Sequence, residues 1–165
     1  MKLRPVVICI GLFLTLLWVV ACGRRAEPTP TPQPLFAQPE VPPLPTLDAT
    51  KIAQGKVVYE QHCAVCHGPN GEGQPNWRER KEDGSLPAPP HDNTGHTWHH
   101  ADEVLIEIIT NGQPTFAQSQ MPVYKDILSA EDIEASLEFL KSWWGPDERA
   151  FQWRVTWQTR QHAQE

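Results

Sequence analysis

The apolar residues of this chain fall into one dense block and three periodic segments, with a proline-rich stretch between them. Val6 to Val20 runs almost without a polar residue, behind a short positive start at Lys2 and Arg4. Arg24 to Leu47 holds eight prolines, from Pro28 to Pro45. Proline fixes φ and donates no N–H, so neither a helix nor a sheet ladder propagates there. Patterning resumes at Asp48, which suits a helix N-cap. Ile52, Gly55 and Tyr59 then share one helical face and predict a helix from about Thr50 to Ala64. Gly55 weakens that helix, which argues for a close crossing at this point. A middle helix is predicted from Asp102 and Glu103, which suit the positive end of its dipole. Its apolar face is Val104, Leu105, Ile108 and Ile109, and Asn111-Gly112 ends it. A third helix opens with the capping box Ser129 to Asp132. Ile133, Leu137, Leu140 and Trp144 form its stripe, widened by Phe139 and Trp143, and Gly145-Pro146 stops it.

Two segments lack a clear period. Pro69, Gly71, Gly73 and Pro75 argue for a long loop from Gly68 to Gly95. The tail from Asp147 alternates like a strand at Phe151, Trp153, Val155 and Trp157, yet Ala150, Trp153 and Trp157 also fit a helix. No neighbouring strand is evident, so a helix or extended arm packed on the domain is expected. It would serve as extra core cover, or as a docking anchor if its tryptophans are exposed.

Length and charge narrow the class. The 165 residues permit one domain. With 14 basic and 20 acidic residues, net −6, and no basic run, the chain lacks the cationic footprint of a nucleic-acid binder. The N-terminal block has the charged start, apolar middle and small residue of an export signal. Its end, Val19-Val20-Ala21-Cys22, resembles a bacterial lipoprotein signal. That resemblance implies cleavage after residue 21 and a lipid on Cys22. The alternative is an uncleaved membrane helix, although the run of about 15 residues is short of the roughly 20 that a span needs. Either way the rest of the chain is expected outside the cytoplasm, tethered to a bacterial membrane. Residues 22–47 would be a semi-rigid spacer, reaching roughly 70 Å if fully extended as polyproline II; a ligand for a partner's groove is the other use of such a segment. Loss of Lys2 and Arg4 with the signal leaves twelve basic residues against 20 acidic ones, net −8.

The chemistry is concentrated in Cys63-Ala64-Val65-Cys66-His67. A C-x-x-C-H run is an attachment site for c-type haem. Two thiols three residues apart on one helical turn can each bond one vinyl group of a porphyrin, and His67 then lies close to the iron and can ligate it. A dithiol redox pair would sit in a βαβ pattern, which is not evident. A structural zinc site needs four ligands, and no second C-x-x-C exists. A plain disulfide leaves His67 unexplained. Of the remaining cysteines, Cys9 leaves with the signal and Cys22 takes the lipid.

From Asp48 to Trp144 the chain resembles the class I cytochromes c. Gly55 and Tyr59 precede the haem motif at that family's spacing, Ile108 to Gly112 looks like its helix before the second ligand, and Phe139-Leu140-Lys141 looks like a segment of its last helix. The resemblance implies an all-α fold of three to five short helices around one covalent haem c, with residues 48–145 as the domain and 146–165 as an extension. It implies that the first and last helices cross, with Gly55 and Phe139 as candidates for the contact. It implies Met121, in the step Met121-Pro122, as the distal iron ligand opposite His67. It also implies a proline carbonyl, that of Pro89 or Pro90, accepting a hydrogen bond from His67.

The expected function is a membrane-tethered electron carrier between redox protein partners, which include a membrane respiratory complex if the chain is a subunit of one. With both axial positions filled, the iron has no site for substrate. A haem enzyme subunit or gas sensor with a displaceable distal ligand is the alternative. A third reading rests on His96, His99 and His100 beside Trp98. Imidazoles suit copper or zinc, which would make a metal-delivery protein; one of them could also replace Met121 on the iron. The plainer expectation is a solvated loop with Trp98 packed near the haem. His62 and His91 carry no separate signal.

Overall fold

The computed structural model describes residues 40–113 and 119–164. The expected signal, Cys22 and most of the proline-rich stretch lie outside the described residues. Five helices follow in chain order: α1 (Ala49–His62), α2 (Ala64–His67), α3 (Asp102–Asn111), α4 (Ala130–Lys141) and α5 (Pro146–His162), with a 3₁₀ turn at Thr97–His99 before α3. Among the described residues there is no strand, and no helix is long and apolar enough to cross a membrane.

The crossing of α1 and α4 is the centre of the fold. Asp48 caps α1, its carboxylate accepting from the Thr50 and Lys51 amides at 2.8 and 3.2 Å. Lys51 pairs with Glu134 of α4 at 2.8 Å, an exposed contact worth at most about 1 kcal/mol. Close packing matters more. A Cβ on Gly55 would lie 1.9 Å from the Ala135 carbonyl oxygen, so the two backbones touch and only glycine fits. The expected partner, Phe139, is not the residue pressed on Gly55. Ala135 and Ser136, one turn earlier, hold that place, because a backbone-to-backbone approach needs small residues on both sides. The Phe139 ring packs instead against Tyr59 and Trp143, at 5.5 and 4.6 Å. These rings join Leu105, Leu137, Leu140 and Trp144 in one core cluster. Val58, Tyr124, Leu128 and Ile133 form a second.

Three helix boundaries differ from expectation. α1 ends at His62, because Cys63 adopts φ −110° and the next turn, α2, begins at Ala64. α4 ends at Lys141, and the Gly145-Pro146 pair read as its stop is the start of α5, with Gly145 as N-cap and Pro146 in the first turn, where a fixed φ and a missing N–H cost nothing. The alternating tail is therefore a helix, not a strand.

α5 is tied to the start of α3 through Asp102. Its carboxylate pairs with Lys141 at 2.8 Å and accepts from Gln152 at 2.6 Å, while its amide donates to the Thr156 hydroxyl at 3.1 Å. α5 also receives the last prolines of the linker: the Trp153 indole donates to the Pro42 carbonyl and Arg149 to that of Pro45, both at 2.8 Å.

Candidate functional site

The turn from Cys63, the N-cap of α2, to His67 carries both thiols and the imidazole. The His67 amide donates to the Cys63 carbonyl at 2.9 Å, which closes the turn and sets the three side chains close together. Cys66 is exposed and Cys63 half-buried; burial, helped by the neighbouring Cys66, pushes the Cys63 thiol up to about 11. His67 is only 9% exposed, and burial lowers its pKa, against the pull of a hydrogen bond to Pro89. Its Nδ1 lies 2.9 Å from the Pro89 carbonyl oxygen. A carbonyl only accepts, so Nδ1 carries the proton and Nε2 keeps the lone pair.

The loop is folded back to make this contact possible. Gly73, at φ +70°, donates its amide to the His67 carbonyl at 2.7 Å. A Cβ there would strike the Pro89–Pro90 backbone at 2.5 Å. The Gln74 and His91 amides then bond the Ala88 and Gly71 carbonyls, so residues 88–91 run beside α2. The Pro90 carbonyl does not face His67; it accepts from the Thr97 hydroxyl at 3.3 Å.

Met121 lies in the segment after α3. That segment is held by the Tyr124 and Lys125 amides, which donate to the Ile109 and Thr110 carbonyls at 3.2 and 3.0 Å. The Tyr124 hydroxyl donates to the His62 carbonyl at 2.8 Å, fastening the segment to the end of α1. Met121 is half-buried against the Tyr124–Leu128 cluster. A cleft of about 500 Å³ is lined by Cys63, Cys66, His67, Pro89 and Met121, with Leu105, Ile108 and Leu140 among its apolar walls. Of the residues read from the sequence, these five are brought together, Pro90 is not among the lining residues, and Cys22 is outside the described residues.

The histidine loop is dispersed. The His96 ring stacks on Trp77 at 5.2 Å, and His99 packs edge-on against Trp98 at 3.8 Å. Among the described residues no three His, Cys, Asp or Glu side chains are grouped to hold a metal ion, so the expected copper or zinc alternative has no assembled site there. Trp98 packs on Phe151 of α5 at 5.4 Å. His91, which had no signal of its own, stacks on His67 with ring centres 3.9 Å apart and 23° between planes. Its Nδ1 sits 2.9 Å from the Thr97 hydroxyl, and burial holds its pKa well below the usual histidine value. Nothing in the spacing announces this contact, because it depends on the loop's return; its place directly after Pro89-Pro90 is the one available clue.

The donor set fits a porphyrin. Two thiols share one helical turn, a neutral imidazole presents Nε2, a thioether lines the same cleft, and apolar side chains supply walls for a flat macrocycle. An all-α fold around such a cleft defines a small haem c protein.

A family model of cytochrome c matches residues 52–144, more than half of the chain, and the protein belongs to the cytochrome c family. It carries a covalently bound haem c, and residues 52–144 form a haem c electron-transfer domain. The chain is also 36% identical over 66 residues to the Cbb3-type cytochrome c oxidase subunit CcoP of Azospirillum sp. (strain B510), an alignment covering 40% of this chain and 21% of that protein. The match thus spans about a fifth of that relative's length.

Proposed function

We propose that the protein is a membrane-tethered monohaem cytochrome c that passes single electrons between extracytoplasmic redox partners. In this reading Cys63 and Cys66 form the thioethers, and His67 Nε2 and the Met121 sulfur ligate the iron. The haem supplies the one-electron ferric/ferrous couple. The observation that carries the proposal is the His67–Pro89 hydrogen bond inside a cleft that Met121 also lines. That bond fixes the tautomer, aims Nε2 away from the backbone and makes the imidazole a stronger donor. A thioether on the other face stabilises ferrous iron and raises the potential relative to a second imidazole.

The surrounding residues control access. Leu105, Ile108 and Leu140 give the cleft apolar walls, while Val65, 86% exposed, and the exposed Cys66 leave one edge of the attachment turn at the surface. Electrons enter and leave at that edge. The acidic net charge favours partners with basic docking faces. A lipid on Cys22 and the part of the proline-rich spacer that precedes Pro42 hold the domain at the membrane, and the relative's name points to a cytochrome c oxidase as the kind of complex it serves.

Met121→Ala tests the axial assignment. The midpoint potential should fall, and the ferrous protein should bind carbon monoxide rapidly where the wild type does not. An unchanged potential and unchanged ligand reactivity contradict the assignment. Rapid carbon monoxide binding by the wild type favours the sensor or enzyme class instead.

A further inference from the structure

His67 is gripped along its edge and on its face. Along the edge, Nδ1–H donates to the Pro89 carbonyl at 2.9 Å. A bond of this kind stays good while the donor angle exceeds about 150°, so alone it aims the ring but leaves it room to rock. On the face, the His91 ring lies 3.9 Å away, centre to centre, with 23° between planes. A flat plate at that distance removes the rocking that the hydrogen bond permits.

The plate is itself anchored. The His91 amide donates to the Gly71 carbonyl at 2.7 Å, and its carbonyl accepts from the Trp144 indole at 2.8 Å. Its ring Nδ1 lies 2.9 Å from the hydroxyl of Thr97, a residue only 5% exposed. That hydroxyl has one proton, and it points to the Pro90 carbonyl at 3.3 Å. The hydroxyl therefore accepts from His91 Nδ1–H, and the chain His91–Thr97–Pro90 sets the plane of the ring. Tyr59 meets the same ring edge-on at 6.4 Å. An aliphatic side chain could fill this space, but only a flat ring presents a plane, and a ring N–H lets Thr97 lock it.

Resting on the reading of His67 as an iron ligand, we propose that His91 is a positioning residue that fixes the rotation of the His67 imidazole plane, with Thr97 as its anchor. His91 acts through His67 and not on the iron. The plane of an axial imidazole decides which iron orbitals it overlaps, and with them the magnetic anisotropy of the ferric state. The plate also excludes water. Without the His91 ring, the Thr97 hydroxyl and the Pro90 carbonyl would border a space with enough polar partners to hold a water molecule. Water beside the ligand favours the more highly charged ferric form, so the potential falls.

The test is proton NMR of the ferric protein, with redox titration, on the full haem-loaded wild type, His91→Ala, Thr97→Val and His91→Phe. In the wild type the His91 ring protons should carry paramagnetic shifts alongside those of His67. His91→Ala should rearrange the haem methyl shift pattern and lower the potential. Thr97→Val should move both in the same direction by less. His91→Phe, which restores a flat ring without the anchor, should recover most of the wild-type pattern. A merely structural residue would lower stability and leave the methyl pattern in place. Unshifted His91 ring protons in the wild type overturn the proposal, whether or not a variant folds. So does a haem-loaded His91→Ala with the wild-type methyl pattern, or a His91→Phe that resembles His91→Ala. If the His67 ring protons are shifted while the His91 variants change nothing, only the positioning role fails. Unshifted His67 protons in a haem-loaded wild type remove the axial reading and this inference together.

Discussion

The two sides of this domain are built on different terms. Where α1 crosses α4, backbone meets backbone at Gly55 and Ala135, and the rings of Tyr59, Phe139 and Trp143 close the gap. From Gly68 to Ala101, and again from Gly112 to Ser129, only a 3₁₀ turn interrupts irregular chain among the described residues. That side is held by single hydrogen bonds from the Gly71, Gly73, Thr97 and Tyr124 regions, and by the aromatic stack of His67 on His91. The helical side is a self-sufficient packing contact. The loop side is a rim around the cleft that Cys63, Cys66, His67 and Met121 line. Substitutions on the first side should register in stability, and substitutions on the second in spectrum and potential.

The largest effect is expected at the crossing. Gly55→Val places two methyl groups and a Cβ where the Ala135 carbonyl already sits. Overpacking typically costs about 1–3 kcal/mol and occasionally more; against a backbone carbonyl that cannot move aside the cost should lie at the top of that range, and thermal melting followed by circular dichroism should show a large loss of stability. A wild-type melting temperature would mean that the helices cross elsewhere. Asp102→Ala comes next. It strips Lys141 and Gln152 of their shared acceptor in a poorly exposed site; removing one partner of a fully buried pair costs about 3–5 kcal/mol, and this partly exposed pair should lose less. The loss should appear in denaturant melts, with fraying of α5 as a sharper local signature in hydrogen exchange. Protection of α5 unchanged from wild type would contradict the anchoring role.

The smallest effects belong to the capping box of α4. Ser129→Ala should cost about 1 kcal/mol, read as a shifted denaturation midpoint with an unchanged potential. A change in potential would break the division between the two sides. The same box sets an acid limit. Hydrogen bonds from Ser129, and then from Gln54, hold the Asp132 carboxyl below its ordinary value of 3.8. The unfolded chain then takes up the proton first, so this contribution is present above pH 3.8 and is lost as pH falls through the lower folded value. Asp132→Asn should remove that part of the acid dependence, visible as a shallower loss of stability with falling pH below 3.8. An acid limb identical to wild type would put the depression elsewhere.

Legibility in the sequence follows the same division. Asp48, the capping box at Ser129 and the apolar stripes announce α1, α3 and α4, because caps and periodicity are local signals. The haem motif is equally local. What failed to show depends on contacts between distant segments. Ala135 looks no different from any other helical alanine until Gly55 lies on it. Gly145-Pro146 reads as a terminator because the next helix lacks a clear apolar stripe, and its anchors, Gln152 and Thr156, are polar. The choice between Pro89 and Pro90 turns on the direction of one carbonyl in a loop, set by Gly73 and Thr97. His91 acquires its neighbour only after that loop has closed.

The central claim is that one porphyrin is held through two sulfur bonds, from Cys63 at the N-cap of α2 and from Cys66 within it. Intact mass and iron content of the mature protein, produced in a host that attaches haem c, test it most directly. The account predicts one iron per chain and a mass that keeps the haem after acid–acetone extraction, with Cys63→Ser and Cys66→Ser each removing one sulfur bond and the double variant releasing the haem. A wild-type chain that extracts to bare polypeptide, or carries no iron, would contradict it.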